Sequence, residues 1–482
     1  MQKMFTYVAP EQAGVPSEAI ERYLDILDER SVNIHSFVMI RKNQVFAEGY
    51  YKPFGPDFLH RMYSAGKSFV SIAIGMLEEE GKLKITDKIC DYFPDKMPED
   101  GVHPYIAATR IVDMLRMASP HKATTYKRYG SDDWVKSFFD IEPDHIPGTV
   151  FCYDTSATHV LSALVERLSG MELMEYLRMK LPDELKPSKE ACFLKDPMGV
   201  SQGGSGLMCT MHDLAKVAYL CLQGGEFSGR QYIPAEYLKE ATKKQMDTFM
   251  HPVVDEQQGY GYQFWRMRED GFAMFGMGGQ LAVCFPKFDA LYVTTADTQG
   301  NPAGVQELYN AFYDTVYPYL ENRIECEPGE AYEHLKERVS NLKRMPMPSK
   351  KTEEILDKWS HFCNHMYQMD ENPMGINSFT MDLFENGGTI GVHRNGTRCQ
   401  IPFGFDSYTQ FELPVTGQKC MSCAAFMEND ALRIQVQMID QVFGSLKVHI
   451  RFTEDAVVIQ LKRAGEGVFL GLEGILTGHK VR

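Results

Sequence analysis

Hydrophobic positions along the first 320 residues recur with two different periods. Over 17–29, Ile20, Tyr23, Leu24 and Leu27 fall at helical spacing behind Ser17, which predicts a capped helix. Residues 36–40 and 44–50 are short β-prone runs on either side of Arg41-Lys42-Asn43, the pattern of a hairpin. The apolar run 64–80 predicts a long helix stopped by Gly81. Residues 155–168 and 211–222 predict two more, closed by Ser169-Gly170 and Gly224-Gly225. Strands return at 262–266, 272–275, 281–285 and 291–295, followed by an amphipathic helix over 306–317 that ends at Pro318. Strands at both ends enclose a helical middle, which favours an α/β sandwich over a strictly alternating parallel sheet.

The pattern changes after residue 340. Residues 338–351 carry Lys343-Arg344, Pro346, Pro348 and Lys350-Lys351 with little apolar content and read as a linker. A helix is predicted over 353–363. Beyond it, β-prone runs recur at roughly 8–12-residue spacing: 379–384, 389–393, 399–403, 409–413, 421–426, 432–438, 446–452 and 457–461. Asn386-Gly387-Gly388, Asn395-Gly396 and Glu428-Asn429-Asp430 between them are hairpin chemistry. The expectation is an antiparallel meander of about eight strands closing into a small barrel. The predicted division is 1–340, a linker at 341–351, and a β-rich domain at 352–482.

Composition narrows the function. A chain of 482 residues exceeds what one core fills, about 250–300. With 44% hydrophobic and 24% charged residues, disorder and collagen are excluded. Fifty Lys and Arg against 65 Asp and Glu leave a net charge of −15, which argues against nucleic-acid and anionic-membrane partners. The 11 cysteines are scattered and odd in number, unlike a disulfide framework. The opening residues hold no apolar run of a signal peptide, and the best apolar stretch, 68–77, stops at Glu78-Glu79-Glu80. A cytoplasmic protein is expected, with a removed leader left open. Oligomeric state is not readable from these features.

Three segments carry candidate chemistry. Ser64-Ala65-Gly66-Lys67 matches S-x-x-K, as do Ser119…Lys122 and Ser340…Lys343, but only Ser64 opens an apolar helix. Serine and lysine three apart share a helix face. A helix start favours a developing alkoxide. A lysine in an apolar setting loses its proton more readily and can act as a base. The alternative is a Ser64 cap and a solvated Lys67. Gly66-Lys67-Ser68 lacks the earlier glycine of a phosphate loop, since Arg61 stands there. Tyr153-Asp154-Thr155 lies between the turn Pro147-Gly148-Thr149 and a helix, where a phenol with its pKa lowered by nearby cations can shuttle a proton. With 24 tyrosines such a triplet also arises by chance, and Tyr129-Gly130-Ser131 is another. Phe275-Gly276-Met277-Gly278-Gly279-Gln280, between two strands, lets a substrate approach the backbone and leaves N–H groups for an oxyanion. The alternative is a glycine-rich hairpin without a ligand.

In this order and spacing the three segments resemble the penicillin-recognising serine hydrolases: class C β-lactamases, low-molecular-weight penicillin-binding proteins, related esterases and aminohexanoate-oligomer hydrolases. The likeness spans roughly 36–320. It includes Glu79-Gly81-Leu83-Asp87, the run from Pro147 to Tyr153, and Gly204-Ser205-Gly206-Leu207. It implies a β-lactamase-like antiparallel sheet flanked by helices, with a helical subdomain. It implies Ser64 as nucleophile, Lys67 as general base and Tyr153 as proton relay, with the backbone N–H groups of Ser64 and Gln280 as oxyanion hole. Thr155, Met277, Gly278 and Gly279 would line the substrate site. Thr155 stands where lactamases carry Asn, and Met277 where they carry Lys, so a poor β-lactamase is expected, acting on an ester, small amide or peptide-like substrate. No cofactor or metal is implied. The alternative is a weak acyl-binding or sensor protein with the barrel as its ligand module. His361, Cys363 and His365 read as part of a packed helix rather than a zinc site, and His212 as a helix cap. There is no G-x-S-x-G and no H-E-x-x-H.

Overall fold

The computed structural model describes residues 4–130, 132–301, 303–324, 326–343, 353–414, 416–427, 431–465 and 469–481. They form two compact units, Met1–Leu342 and Lys343–Arg482. Most of the expected linker, 344–351, lies outside the described residues, as does Ser131.

In the first unit seven strands make one sheet, in the order Thr6–Tyr7, Gln44–Tyr50, Ile34–Arg41, Ala290–Ala296, Gln280–Phe285, Phe272–Gly276 and Trp265–Arg266. All neighbours are antiparallel except Thr6–Tyr7 on Gln44–Tyr50. Alternate side chains of the central strands enter two cores. Val38, Ile40, Ala282, Cys284, Leu291 and Val293 pack with the helices Gly66–Glu79, Thr155–Ser169 and Met211–Leu222. Phe37, Met39, Leu281, Val283, Phe285 and Tyr292 pack with Ser17–Glu29 and Gly304–Thr315. A sheet covered on both faces needs apolar residues at every position, which is why these strands read as unbroken apolar runs. The helices between the two parts of the sheet form the expected helical middle.

Several boundaries differ from expectation. The helix expected over 64–80 begins at Gly66, because Ser64 and Ala65 form the turn after the strand His60–Tyr63. The strand expected over 262–266 is reduced to Trp265–Arg266. The polar stretch expected to open the linker is instead the end of a helix, Glu330–Ser340. That helix buries Leu335 and is held by Arg338, which pairs with Glu21, Asp25 and Asp28. Its attachment is largely ionic and leaves little apolar periodicity to detect.

The second unit opens with the helix Glu353–Ser360, three residues shorter than expected, since 361–364 turn toward the first strand. Nine strands form a closed ring: Met366–Met369, Ile376–Phe384, Gly387–Arg394, Thr397–Phe405, Lys419–Phe426, Leu432–Met438, Gly444–Phe452, Ala456–Gly465 and Gly474–Lys480. Thr397–Phe405 closes it by pairing in parallel with Lys419–Phe426, and Thr409–Glu412 adds a tenth strand outside the ring. Eight of these ten were expected. Met366–Met369 is short and Gly474–Lys480 carries two glycines, so neither shows a strand signature, yet they pair with each other. Ile376, Phe379, Ile390, Val448, Ile459 and Leu476 fill the interior around a cavity of about 40 Å³, little more than one water's share of ~30 Å³. The interior is a packed core with room for little more than a water.

Candidate active site

Ser64 sits in a tight reversal between the strand His60–Tyr63 and the helix Gly66–Glu79. Tyr63 adopts a left-handed φ of 45°, a conformation that a bulky residue holds only when its surroundings enforce it. Gly276 supplies one such constraint. A Cβ there would lie 2.0 Å from the Met62 carbonyl oxygen and 3.1 Å from the Ala65 nitrogen. The end of the strand Phe272–Gly276 therefore leans on the serine turn without room for a side chain, which brings the Met277–Gly279 hairpin to Ser64. Ser64 is half-buried, while Tyr63 and Ala65 are buried.

Lys67, in the first turn of the helix, is 1% exposed. Its Nζ donates to the Gly204 carbonyl and, at 3.2 Å, to Thr155 Oγ1, and lies 5.2 Å from the centre of the Tyr153 ring. None of these is a counter-ion. Burial pushes the Lys67 ammonium down to about 7, partly opposed by the charge of Asp154. Gly204 must be glycine for this contact, since a Cβ would meet Thr155 Cγ2 at 2.6 Å and Lys67 Nζ at 3.3 Å.

The Ser64 hydroxyl is hydrogen-bonded to the Tyr153 phenol. Tyr153 immediately precedes the cap of the helix Thr155–Ser169, so the cap fixes its position. Asp154 accepts from Ser156 N at 2.9 Å and from Ser119 Oγ at 2.9 Å. The expectation that cations lower the Tyr153 pKa is not met. Burial raises it, the nearby Glu256 adds in the same direction, and only the Ser64 hydrogen bond opposes them. Tyr153 is thus protonated at neutral pH, while Lys67 gives up its proton near neutrality.

The hairpin is as expected in its glycines: Gly278 and Gly279 have φ of 85° and 97°. Gln280 turns its side chain away from the site, Nε2 donating to the Ala296 carbonyl at 2.5 Å and to Met277 O at 3.1 Å. The Thr155 hydroxyl is engaged by Lys67. The structure thus brings Ser64, Lys67, Tyr153 and Thr155 together and sets Met277, Gly278, Gly279 and Gln280 on a hairpin tied to the same turn. It separates the competing motifs. Ser119 is buried on Asp154 while Lys122 pairs with Asp144, and Ser340 is hydrogen-bonded to Glu337 O.

Other candidates resolve as structure. His212 is not the cap of its helix. Thr210 is, accepting from Asp213 N at 3.1 Å, because a hydroxyl one residue before the helix reaches its free N–H. His212 pairs with Glu48 at 2.6 Å. His361, Cys363 and His365 follow the end of their helix, and Cys363 donates to Trp359 O at 3.4 Å. Among the described residues no three His, Cys, Asp or Glu side chains cluster to hold a metal. None of the 11 cysteines is in a disulfide. No helix among the described residues is long and apolar enough to cross a membrane. Sequence reasoning missed Gly204 as a ligand of the lysine, although adjacent Gly203-Gly204 signalled a close approach. It also missed Trp265, whose ring stacks on Tyr153 at 5.8 Å, and Glu256, which no motif marks.

Residues 25–186 match the Beta-lactamase family. The 6-aminohexanoate-dimer hydrolase of Paenarthrobacter ureafaciens is 24% identical over 309 residues, 59% of this chain and 78% of its own. Two solved structures share the fold at a TM-score of 0.52. One, from Bacillus anthracis and assigned as a 6-aminohexanoate-dimer hydrolase, is 18% identical over 62% of this chain and 82% of its own. The other, from Bacteroides dorei DSM 17855 and assigned as a beta-lactamase, is 15% identical over 63% and 98%. The first unit thus carries a Beta-lactamase family match over part of its length and shares its fold with these two structures. Met277 and Thr155 stand at the two positions where the resemblance leads one to expect a cation and an amide.

Proposed function

We propose that the protein is a serine hydrolase that cleaves an ester or amide through a covalent acyl-enzyme. The observation that carries this is Lys67, buried without a counter-ion and poised near neutrality, in the turn that follows a half-buried Ser64. Ser64 Oγ attacks the substrate carbonyl carbon while the neutral Lys67 amine takes its proton. The negative oxygen that forms is held by the main-chain N–H groups of Ser64 and Gln280. The carbonyl re-forms as the C–O or C–N bond breaks, and the leaving group takes a proton from Tyr153, which regains one from the Lys67 ammonium. Water then attacks the Ser64 ester, the acid is released, and Ser64 recovers its hydroxyl proton. Each step uses only side chains and main chain of this unit.

Met277 offers no cation to a substrate carboxylate, so neutral esters and amides suit this site better than penicillins. The curated relative is named for hydrolysis of an aminohexanoate dimer, which makes an amide the natural first substrate to try. The test is intact-mass analysis after treatment with a fluorophosphonate. One adduct per chain is expected, mapping to Ser64 and absent in Ser64→Ala. Labelling that persists in Ser64→Ala would overturn the assignment, and no labelling of wild type would favour the acyl-binding alternative.

A further inference from the structure

Beside the site lies a buried acid that the proposed steps do not use. Glu256 is on the short helical segment Val254–Gln258 and has no exposure to solvent. The neighbouring Asp255 fixes this segment. It accepts from Arg268 Nε at 2.6 Å and Nη2 at 3.2 Å, and from Gln306 on the helix Gly304–Thr315. Thr248 Oγ1 donates to the Glu256 carbonyl at 2.7 Å. Glu256 is therefore held inward, yet neither of its carboxyl oxygens has a hydrogen-bond partner among the described residues. His251 Nδ1 lies 3.2 Å from Oε2, outside hydrogen-bond geometry. The His251 ring packs edge-on against Trp265, at 5.1 Å between centres, and Trp265 stacks on Tyr153. A chain of ring contacts thus runs from this carboxyl to the phenol bonded to Ser64.

Two buried carboxyl groups adjacent in sequence cannot both ionise cheaply when only one has a cation. Arg268 neutralises Asp255. Burial, reinforced by the Asp255 charge, pushes the Glu256 carboxyl up to about 8. The groups that face Glu256 are Asp255 with its Arg268, His251, Tyr153 and Tyr309, and a charge on Glu256 raises the pKa of both phenols. His251 is kept neutral by burial, so it supplies no compensating charge.

We propose that Glu256 is a positioning residue for Tyr153: as the neutral acid it leaves the phenol able to pass its proton on, and its ionisation arrests that relay, giving the enzyme an alkaline limit separate from its acid one. The inference rests on the hydrolase reading above and adds a regulating group to that site. In the neutral state Glu256 adds nothing to the burial that already opposes transient negative charge on the Tyr153 oxygen. An ionised Glu256 places a like charge on the far side of the same ring cluster, where little water screens it.

The experiment is the pH profile of kcat/KM for a short-chain nitrophenyl ester in wild type and Glu256→Gln, whose amide keeps the neutral shape. Wild type should show a bell with limbs near 7 and 8. In Glu256→Gln the falling limb should move up by at least one pH unit while the rising limb stays. A falling limb at the same pH in the folded variant overturns the proposal. Infrared titration of wild type with 13C-labelled glutamate supplies a readout independent of activity and of the variant's folding. A protonated carboxyl band should vanish with a midpoint near pH 8, and its absence above pH 6 would also overturn the proposal. If Ser64 never labels but this band is present, the hydrolase reading fails and the buried acid stands.

Discussion

The interior of the first unit holds Lys67, Asp113, Asp154, Asp213, Asp255 and Glu256, all nearly or fully buried. The interior of the barrel holds no charged side chain among the described residues, only Ser422, Gln437 and Ser445. Most of the first unit's buried charges are answered. Asp113 pairs with Arg110 and Arg116, Asp255 with Arg268, and Asp154 and Asp213 accept hydrogen bonds from hydroxyls and main chain. Among the described residues Lys67 contacts no carboxylate and neither Glu256 oxygen has a hydrogen-bond partner, and both lie beside Tyr153. Burying an unpaired ionisable group destabilises a fold, so its presence in the first unit, and absence among the described residues of the second, makes the first the candidate seat of chemistry.

The largest test of this contrast is kinetic. Lys67→Ala and Tyr153→Phe should each lower turnover of a nitrophenyl ester by about 10²–10⁴-fold, the scale of losing positioned proton transfer. The sign of the acid limb follows from Lys67. Its protonated form cannot accept the Ser64 proton, so the rate rises as pH increases through about 7 and the ammonium deprotonates. Near-wild-type rates in both variants, with unchanged circular dichroism, would return the two residues to a structural role.

The next test is on stability. In the unfolded chain Lys67 titrates at the ordinary 10.5, in the fold at about 7. The unfolded state therefore binds more protons between these values, and stability rises with pH across that window. Below pH 7 the fold carries the whole cost, several kcal/mol at roughly 1.4 kcal/mol per pH unit. Part of it is offset by the bonds to Gly204 and Thr155. Lys67→Met should accordingly raise unfolding free energy by about 1–3 kcal/mol at pH 6, less at pH 10, while abolishing turnover. In the barrel a core truncation such as Ile459→Ala should do the reverse, costing about 2–5 kcal/mol with Ser64 labelling retained at temperatures where the first unit stays folded. Chemical denaturation at the two pH values checks both signs.

The same contrast explains what could be read from sequence. In the barrel, Leu432–Met438 and Gly444–Phe452 alternate buried and open positions over much of their length, so strands, hairpins and closure were legible. Its purpose was not, since a packed apolar core carries no chemical mark. In the first unit Ile34–Arg41 and Gln280–Phe285 are buried almost throughout, and only their β-prone composition and flanking turns gave them away. Ser64, Lys67 and Tyr153 stood out as candidates because motif spacing survives in sequence, and the fold brings the three together. Gly204, Trp265 and Glu256 did not, because they reach the site by folding from positions far along the chain from Ser64, the farthest being Trp265. Glu256 lies in a polar run, Asp255-Glu256-Gln257-Gln258, that reads as surface, and it is turned inward by the Arg268 and Gln306 bonds to Asp255 and the Thr248 bond to its carbonyl.

The smallest effect concerns the barrel's part in catalysis. Among the described residues its interior offers a cavity of only about 40 Å³ and no buried charge, and the proposed Ser64, Lys67 and Tyr153 steps draw nothing from it. It carries a core of its own, from Trp359 to Leu476, which meets the requirement for folding as a separate unit. If the division of labour is complete, a chain ending at residue 349 should label at Ser64 like the full protein and keep its rising limb near pH 7. Any influence of the barrel would then appear only as a few-fold change in the rate ratio between bulky and small esters. The ratio is the sensitive measure, since it cancels differences in active fraction between the two preparations. A shortened chain that is folded and soluble but no longer labels would mean that the barrel completes the catalytic site. The absence of buried charge would then be no guide to which unit does the chemistry.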